Sequence, residues 1–157
     1  MRLAVFGVAL IITILPSAAY ADWQYTNWGM TVDQVVAAAS SKVAASSGTP
    51  GDVIEGLSVG AKGTYTMGPQ AVPVTFYFKN GGLARVKLAA GSDSLCWALE
   101  KKLAQQYGEP FSRLDAAFMK QVTWKDTEHQ NRVEFTSFGD SCSLDYVSIT
   151  SDTGSGL

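Results

Sequence analysis

A change of hydrophobic period, which occurs twice along the 157 residues, constrains the fold of this chain more than any other feature. Each time, apolar residues at helical spacing give way to apolar residues at every second position, which is the spacing of a half-buried strand. The helical runs consist of Val32, Val35, Val36, Ala39 and Val43 in the first half and of Leu95, Cys96, Leu99, Leu103 and Tyr107 in the second. The chain therefore predicts two amphipathic helices, each followed by strands.

Both predicted helices have recognisable boundaries. Thr31 and Gln34 have the spacing of a capping box, and Ser92 stands at the N-cap position before the second apolar stripe. Gly108 predicts the end of the second helix, because glycine adopts the left-handed backbone that helix ends favour. We expect the first helix to end in the segment 45–51, which is rich in Ser, Gly and Pro.

Segments with alternating apolar residues follow each helix and predict strands joined by tight turns such as Asn80-Gly81-Gly82. The strand segments are 65–67, 74–78 and 85–88 in the first half, with a further candidate at 53–57, and 121–125, 132–137 and 142–149 in the second. Strands with one apolar face need a cover, which amphipathic helices supply. We therefore expect an α+β fold of two α-β-β-β units, with both helices packed on one face of an antiparallel sheet.

The two units resemble each other weakly in sequence. Arg85-Val86-Lys87-Leu88 in the first corresponds to Arg132-Val133-Glu134-Phe135 in the second. We expect a single domain at 22–150, with possible repeats at 28–90 and 92–150. Hairpins of this composition also occur in unrelated folds, so chance similarity is the alternative to internal duplication.

The segment 1–21 has the three-part pattern of a secretory signal peptide. Arg2 supplies the positive charge, 3–15 is uncharged, and Ala19 and Ala21 are the small residues that precede a cleavage site. The alternative is a membrane anchor, but a helix of 13 residues reaches only about 20 Å and a bilayer core is about 30 Å thick. The sequence predicts a protein exported to the periplasm or the extracellular space, with no transmembrane segment in the mature chain.

Two cysteines, Cys96 and Cys142, remain after the predicted cleavage. An even number of cysteines in an exported chain favours a disulfide bond, and this one would stabilise the fold by roughly 4 kcal/mol in the chain-entropy model. The alternatives are two buried thiols or a redox pair. The redox pair is the least favoured because the chain contains no C-x-x-C motif.

The first unit contains Trp28-Gly29-Met30-Thr31-Val32-Asp33-Gln34-Val35 and, after a loop and an aromatic strand, Leu83-Ala84-Arg85-Val86. The second unit contains Tyr107-Gly108-Glu109-Pro110 and the segment 124–135. These segments resemble small exported bacterial modules, namely the BamE-type outer-membrane assembly lipoproteins and the β-lactamase-inhibitor proteins. The resemblance implies helical elements packed on an antiparallel sheet and a protein-binding scaffold without catalysis.

Charge excludes several classes of function. Twelve Lys and Arg residues against 14 Asp and Glu residues give a formal net charge of −2, and the charges are scattered along the chain. We therefore expect no nucleic-acid ligand and no electrostatic attachment to membranes. The polar tail 151–157 has no apolar face and is predicted to be disordered.

Catalytic motifs are absent from the sequence. His129 is the only histidine, so a Ser-His-Asp or Cys-His arrangement would have to use it. It lies in a polar turn with Asp126 and Glu128, which are possible metal ligands, but no second histidine completes a coordination sphere. The glycines between residues 56 and 68 fit no phosphate-binding motif. We expect no metal, no cofactor and no enzymatic activity, and an enzyme that uses His129 is the least favoured function.

Aromatic side chains are the best indication of a binding site. Tyr77 alternates with Phe76 and Phe78, so we expect it on the opposite face of its strand, and Trp97 lies off the apolar stripe of its helix. The candidate aromatic patch consists of Trp23, Tyr25, Trp28, Tyr77 and Trp97. The alternative is that these residues cover the rim of a small core.

The favoured hypothesis is a non-catalytic module that binds a protein partner in the cell envelope or the medium. The second hypothesis is a carrier of a small apolar ligand in a pocket between helices and sheet. An exposed, flat aromatic patch would favour the first hypothesis, whereas a cavity with aromatic walls would favour the second.

Overall fold

The computed structural model describes residues 22–49 and 51–149, which form one eight-stranded antiparallel sheet and two short helices. The predicted signal peptide 1–21 and the tail 151–157 lie outside the described residues. The helices are α1 Val32–Ala38 and α2 Asp93–Tyr107. The strands are β1 Val43–Ala45, β2 Ser58–Met67, β3 Gln70–Lys79, β4 Gly82–Ala90, β5 Ser112–Asp115, β6 Met119–Asp126, β7 Asn131–Phe138 and β8 Ser141–Ser148. Within the described ranges, none of the helices has the length and apolar character needed to span a bilayer.

The sheet consists of two four-stranded meanders that meet along their last strands. Its strand order is β1-β2-β3-β4-β8-β7-β6-β5, and all neighbours are antiparallel. At the junction, β4 pairs with β8 from Arg85 opposite Val147 to Ala90 opposite Cys142. The predicted antiparallel sheet with helices is confirmed, but each helix precedes four strands. The predicted α-β-β-β unit is therefore wrong by one strand in each half.

The strand missed in the first half, β1, begins with a residue that the sequence assigned to a helix. α1 starts as predicted, because Thr31 and Gln34 form both hydrogen bonds of the capping box. The helix ends before Ser40 and Ser41, which have φ angles of 49° and 69°. Left-handed backbone cannot continue a right-handed helix. Val43 is therefore buried as part of β1.

The strand missed in the second half, β5, has no apolar alternation that would reveal it. All four residues of Ser112–Asp115 are exposed, and the strand lies at one edge of the sheet. The segment 53–57 was predicted to be a strand, but it contains only an isolated bridge between Ile54 and Leu57. Alternation indicates strands only where one side faces a core, so a short exposed edge strand gives no such signal.

Both helices contribute to one hydrophobic core on the same face of the sheet. Val35 of α1 and Leu99 and Leu103 of α2 belong to the cluster that contains the inward residues of the central strands. Phe76 and Phe135, one from each half, are among its largest fully buried side chains. Burying an apolar side chain of this size stabilises the fold by roughly 1.5–3 kcal/mol.

A disulfide bond between Cys96 and Cys142 fastens α2 to the sheet, as predicted. Cys96 lies in the first turn of α2, and Cys142 lies in β8, next to the junction of the two meanders. Their Cα atoms are 5.8 Å apart. Disulfides persist in oxidising compartments, so the bond is consistent with export.

The opposite face of the sheet, termed the helix-free face, is covered in its first half by the loop that precedes β2. A small apolar cluster forms under this loop from Leu57, Val59, Tyr77 and Ala84, with Ile54 packed against it. In the second half, Leu114, Met119 and Phe138 are exposed to solvent. The two halves therefore share a topology but differ in the cover of the helix-free face.

An ion cluster joins the two halves on the helix-free face. Arg85 Nε donates a hydrogen bond to Asp145 Oδ1 at 2.8 Å, and both residues are buried. Glu55 and Glu134 lie 3.3 Å and 3.5 Å from the other guanidinium nitrogens. Burial alone would lower the pKa of Arg85, but Asp145, Glu134 and Glu55 together raise it above its ordinary value. The guanidinium of Arg85 thus forms ion pairs with carboxylates of β7, β8 and the covering loop.

Candidate functional site

The five residues of the candidate aromatic patch do not form one exposed surface. Trp97 is 66% exposed on α2, whereas Trp23 and Tyr77 are only 4% and 7% exposed. Tyr25 and Trp28 are partly buried against the main core. The candidate residues therefore lie in three places: in or against the main core, on the helix-free face and on the surface of α2.

Trp23 is a core residue because the amino-terminal segment folds back onto the sheet. The backbone groups of Trp23 and Thr26 exchange hydrogen bonds, which closes a tight bridge. Four aromatic rings lie within 6.2 Å of its indole, between centroids, and belong to Tyr25, Tyr65, Phe76 and Tyr146. Sequence patterns could not place Trp23, because it lies in a segment without regular secondary structure.

Tyr77 points away from Phe76 on β3, but the chain itself covers it. The cover is the loop before β2, whose Leu57 packs with Tyr77 in the small cluster of the helix-free face. Burial raises the pKa of the Tyr77 phenol, and the carboxylate of Asp145 raises it further. Tyr77 therefore stabilises the domain and is not available as a surface anchor.

A cavity of about 310 Å³ lies between α2, the sheet and the amino-terminal segment. Its aliphatic lining consists of Leu88, Leu99, Leu103 and Leu144, all buried, together with Met67. Its aromatic lining consists of Trp23, Tyr65, Tyr107 and Tyr146. Its polar lining consists of Asp22, Gln24, Lys102, Gln106, Asp126, His129 and Asn131. The lining thus combines aliphatic and aromatic side chains with polar groups in about equal measure, and concave linings with both kinds of group occur at small-molecule sites.

Two phenols in the cavity, those of Tyr107 and Tyr146, lie close enough to affect each other's titration. Burial raises the pKa of the Tyr146 phenol far above its ordinary value, and the adjacent Tyr107 raises it further. Burial also raises the pKa of Tyr107. Both groups therefore stay protonated at physiological pH, and the cavity offers uncharged hydroxyl groups as hydrogen-bonding partners.

His129 lies beside the same cavity, which the sequence did not predict. Its Nδ1 atom is 2.9 Å from Asp126 Oδ2, and its backbone N–H donates to Asp126 Oδ1 at 3.2 Å. These contacts orient the imidazole and close the turn between β6 and β7. Within 22–49 and 51–149, no three His, Cys, Asp or Glu residues are grouped closely enough to hold a metal ion.

A second candidate site, termed the apolar patch, lies in the second half of the helix-free face. It consists of Leu114, Met119 and Phe138 together with Phe118 in the adjoining turn. Met119 on β6 stands directly opposite Phe138 on β7, so their side chains are neighbours. Leu114 is opposite Gln121, which shares the face of Met119 by strand alternation. Sequence reasoning missed these residues because they lie at strand ends and in an unrecognised strand.

Comparison with known proteins identifies no relative, since no family model, no curated protein and no solved structure matches the chain. The function must therefore be inferred from the cavity and the apolar patch themselves. The cavity combines a defined volume, aromatic walls and polar groups, whereas the residues of the apolar patch are exposed side chains.

Proposed function

We propose that the protein is an exported, non-catalytic binding protein whose cavity takes a small, uncharged ring compound. The observation that carries the proposal is the lining of the cavity, in which leucines and aromatic rings lie around the neighbouring phenols of Tyr107 and Tyr146. This function corresponds to the carrier hypothesis that the sequence left open. The predicted signal peptide and the Cys96–Cys142 disulfide support the exported location.

The volume of the cavity limits the size of the ligand. About 310 Å³ lies at the lower end of the range for small-molecule pockets, which is roughly 300–1,000 Å³. One or two rings fill such a space, whereas a dinucleotide or a long acyl chain exceeds it. The indole of Trp23 and the phenol rings can contact a flat ligand edge-on or in offset stacks, each worth about 0.5–1.5 kcal/mol beyond burial.

The charges around the cavity favour a ligand without net charge. The carboxylates of Asp22 and Asp126 lie in the same lining as the ammonium of Lys102 and the imidazole of His129. A charged ligand of either sign would lose its hydration in a partly apolar lining and would also meet a like charge there, from the carboxylates or from the Lys102 ammonium. A neutral ligand avoids both repulsions, and a single hydroxyl group on it can bond to the phenol of Tyr146.

The proposal is tested by calorimetric titration of three ring compounds of similar size but different charge. The probes are p-cresol, benzoate and benzylammonium, each titrated into the disulfide-bonded protein at neutral pH. We expect p-cresol to bind at least tenfold more tightly than either charged compound. Tighter binding of benzoate or benzylammonium would contradict the uncharged ligand class.

Two cavity variants and one control variant locate the binding. Leu103→Trp fills the cavity and should abolish p-cresol binding, whereas Trp97→Ala removes an exposed ring of the same helix and should leave binding unchanged. Because Leu103 is buried, thermal melts must first establish that its variant folds. Tyr146→Phe keeps the volume but removes the hydroxyl, and should weaken p-cresol binding severalfold. Unchanged binding in both cavity variants would overturn the proposal.

Contact with a partner protein is a second candidate function, favoured by the apolar patch. The exposed side chains of Met119 and Phe138 are adjacent on the helix-free face, and exposed clusters of this kind mark protein contacts. The resemblance to exported protein-binding modules points to the same function. Phe138→Ser should then reduce recovery of a partner from envelope extracts, while Leu103→Trp should not.

A further inference from the structure

Among residues 22–49 and 51–149, no strand bonds the outer backbone groups of the edge strand β5. β5 is the last strand of the sheet order, and each of its residues is exposed. It contains no proline, so each of its residues has a backbone N–H group that can donate to a neighbouring strand. An edge of this kind is competent to pair with another strand.

The hydrogen-bond pattern between β5 and β6 identifies the residues of β5 whose backbone groups are directed away from the sheet. The Ala116 N–H donates to the Met119 carbonyl at 2.8 Å, just beyond the pair of Asp115 and Lys120. Ala116 and Met119 thus form a hydrogen-bonded pair. Hydrogen-bonded and non-bonded pairs alternate along an antiparallel ladder, so the backbone groups of Leu114, two residues before Ala116, also bond to β6. Arg113 and Asp115 therefore direct their backbone N–H and C=O groups away from the sheet.

We propose that two copies of this chain associate through β5, antiparallel to each other, about a two-fold axis at Leu114. Arg113 of each copy then exchanges backbone hydrogen bonds with Asp115 of the other, and the two eight-stranded sheets become one sheet of sixteen strands. Such an isologous contact uses the same surface of both copies and closes at the dimer. The proposal is independent of the ligand cavity.

Charge complementarity selects this register. Within β5, only Arg113 and Asp115 direct backbone groups away from the sheet. In a symmetric pair, each of them bonds either its own counterpart in the second copy or the other residue there, so the two-fold axis must pass through residue 113, 114 or 115. An axis at Arg113 places two guanidinium groups opposite each other, and an axis at Asp115 does the same for two carboxylates. An axis at Leu114 places Arg113 opposite Asp115 on both sides, and opposite charges directly across a sheet stabilise the pair.

The side chains exposed around β5 become partly covered in this arrangement. Leu114, which is 51% exposed, meets Leu114 of the second copy on the helix-free face. Phe111 of one copy comes beside the turn that carries Phe118 of the other, and these two rings are 65% and 79% exposed. On the helix side, Arg113 bonds Asp115 and Glu100 in its own chain, so the second copy extends an existing ion network.

The other sheet edge lacks these features. β1 is only three residues long and consists of Val43, Ala44 and Ala45, none of which is charged. It therefore offers no charge pattern to fix a register. This difference explains why the contact is assigned to β5.

The proposal is tested by sedimentation equilibrium of the disulfide-bonded mature protein over a range of concentrations. We expect a monomer–dimer equilibrium for the wild type. Arg113→Asp and Asp115→Arg each oppose like charges across the axis and should weaken dimerisation at least tenfold. The double variant Arg113→Asp, Asp115→Arg restores opposite charges and should restore the dimer.

The intrachain pair of Arg113 and Asp115 would also respond to these changes, so folding is followed separately by thermal melts. Leu114→Cys provides a geometric readout, because a non-bonded pair has Cα atoms about 4.5 Å apart, within the range of a disulfide. We expect it to form a covalent dimer on oxidation, and Ser112→Cys, which lies off the axis, to remain monomeric. A wild-type monomer at all concentrations, or a double variant that stays monomeric, would overturn the proposal.

Discussion

Asn131 holds Trp28 across 103 positions of sequence: the indole Nε1 of Trp28 donates a hydrogen bond to Asn131 Oδ1 at 3.0 Å. The amide Nδ2 of Asn131 donates in turn to the backbone carbonyl of Asp22 at 2.7 Å. Asn131 is buried at the start of β7, and Asp22 and Trp23 line the cavity. One side chain thus fixes the amino-terminal wall of the proposed site to the second half of the sheet.

Replacing Asn131 by alanine should lower the free energy of unfolding by about 1–3 kcal/mol, because the indole N–H and the Asp22 carbonyl lose their partner. Urea denaturation measures the change. Thr127→Ala, an exposed substitution in the preceding turn, is the control and should stay within about 0.5 kcal/mol of the wild type. Equal stabilities of the two variants would show that Asn131 does not anchor the segment.

Replacing Trp23 by alanine should destabilise the protein by about 3–5 kcal/mol, as expected for removal of a buried aromatic side chain. Trp97→Ala removes a ring that is 66% exposed and should cost little. Chemical denaturation of both variants distinguishes a core tryptophan from a surface one. If the Trp97 substitution were the more damaging, the assignment of Trp23 to the core would be wrong.

The sequence was sufficient for features that follow from local spacing. The capping box of Thr31 and Gln34 and the glycine end of α2 at Gly108 lie where their residue types require them. The pairing of Cys96 and Cys142 was predicted because an exported chain with an even number of cysteines favours a disulfide bond. The antiparallel hairpins followed from alternation and from turn residues such as those after Lys79.

The rest depends on contacts between distant segments, which spacing does not encode. The burial of Trp23 requires the amino-terminal segment to return onto β3 and β8. The burial of Tyr77 requires a loop over the helix-free face. β5 and the exposure of Leu114 arise at a sheet edge, where no core imposes an alternating pattern. His129 was placed in a polar turn, but its position beside the cavity depends on how α2 packs.

Reduction of the Cys96–Cys142 bond should lower the free energy of unfolding by roughly 4 kcal/mol, less any native strain. The bond joins residues 46 positions apart, so it removes many conformations from the unfolded chain. Urea midpoints with and without reductant measure the effect, and the Cys96→Ala, Cys142→Ala variant serves as the permanently reduced reference. Two titratable thiols in the native, unreduced protein would contradict the bond.

The free energy of unfolding should fall at alkaline pH because the phenol of Tyr146 loses its proton more readily in the unfolded chain. Its pKa is raised by burial and by Tyr107, so the folded protein keeps the phenolic proton at a pH where an unfolded tyrosine has lost it. The contribution is fully present below about pH 10 and is lost as the pH rises from there towards the folded pKa. Urea midpoints measured between about pH 8 and about pH 11.5 should fall less steeply for Tyr146→Phe than for the wild type. Parallel profiles would show that Tyr146 does not carry the effect.

The most direct test of the ligand cavity is to map the position of p-cresol by amide chemical shifts of the ¹⁵N-labelled, disulfide-bonded protein. We expect saturable shifts concentrated at residues of the cavity lining, such as Leu103, Leu144 and Tyr146, with little change at Lys62 on the opposite face. Saturable shifts confined to the apolar patch around Met119 and Phe138, or no saturable shifts at all, would contradict this expectation.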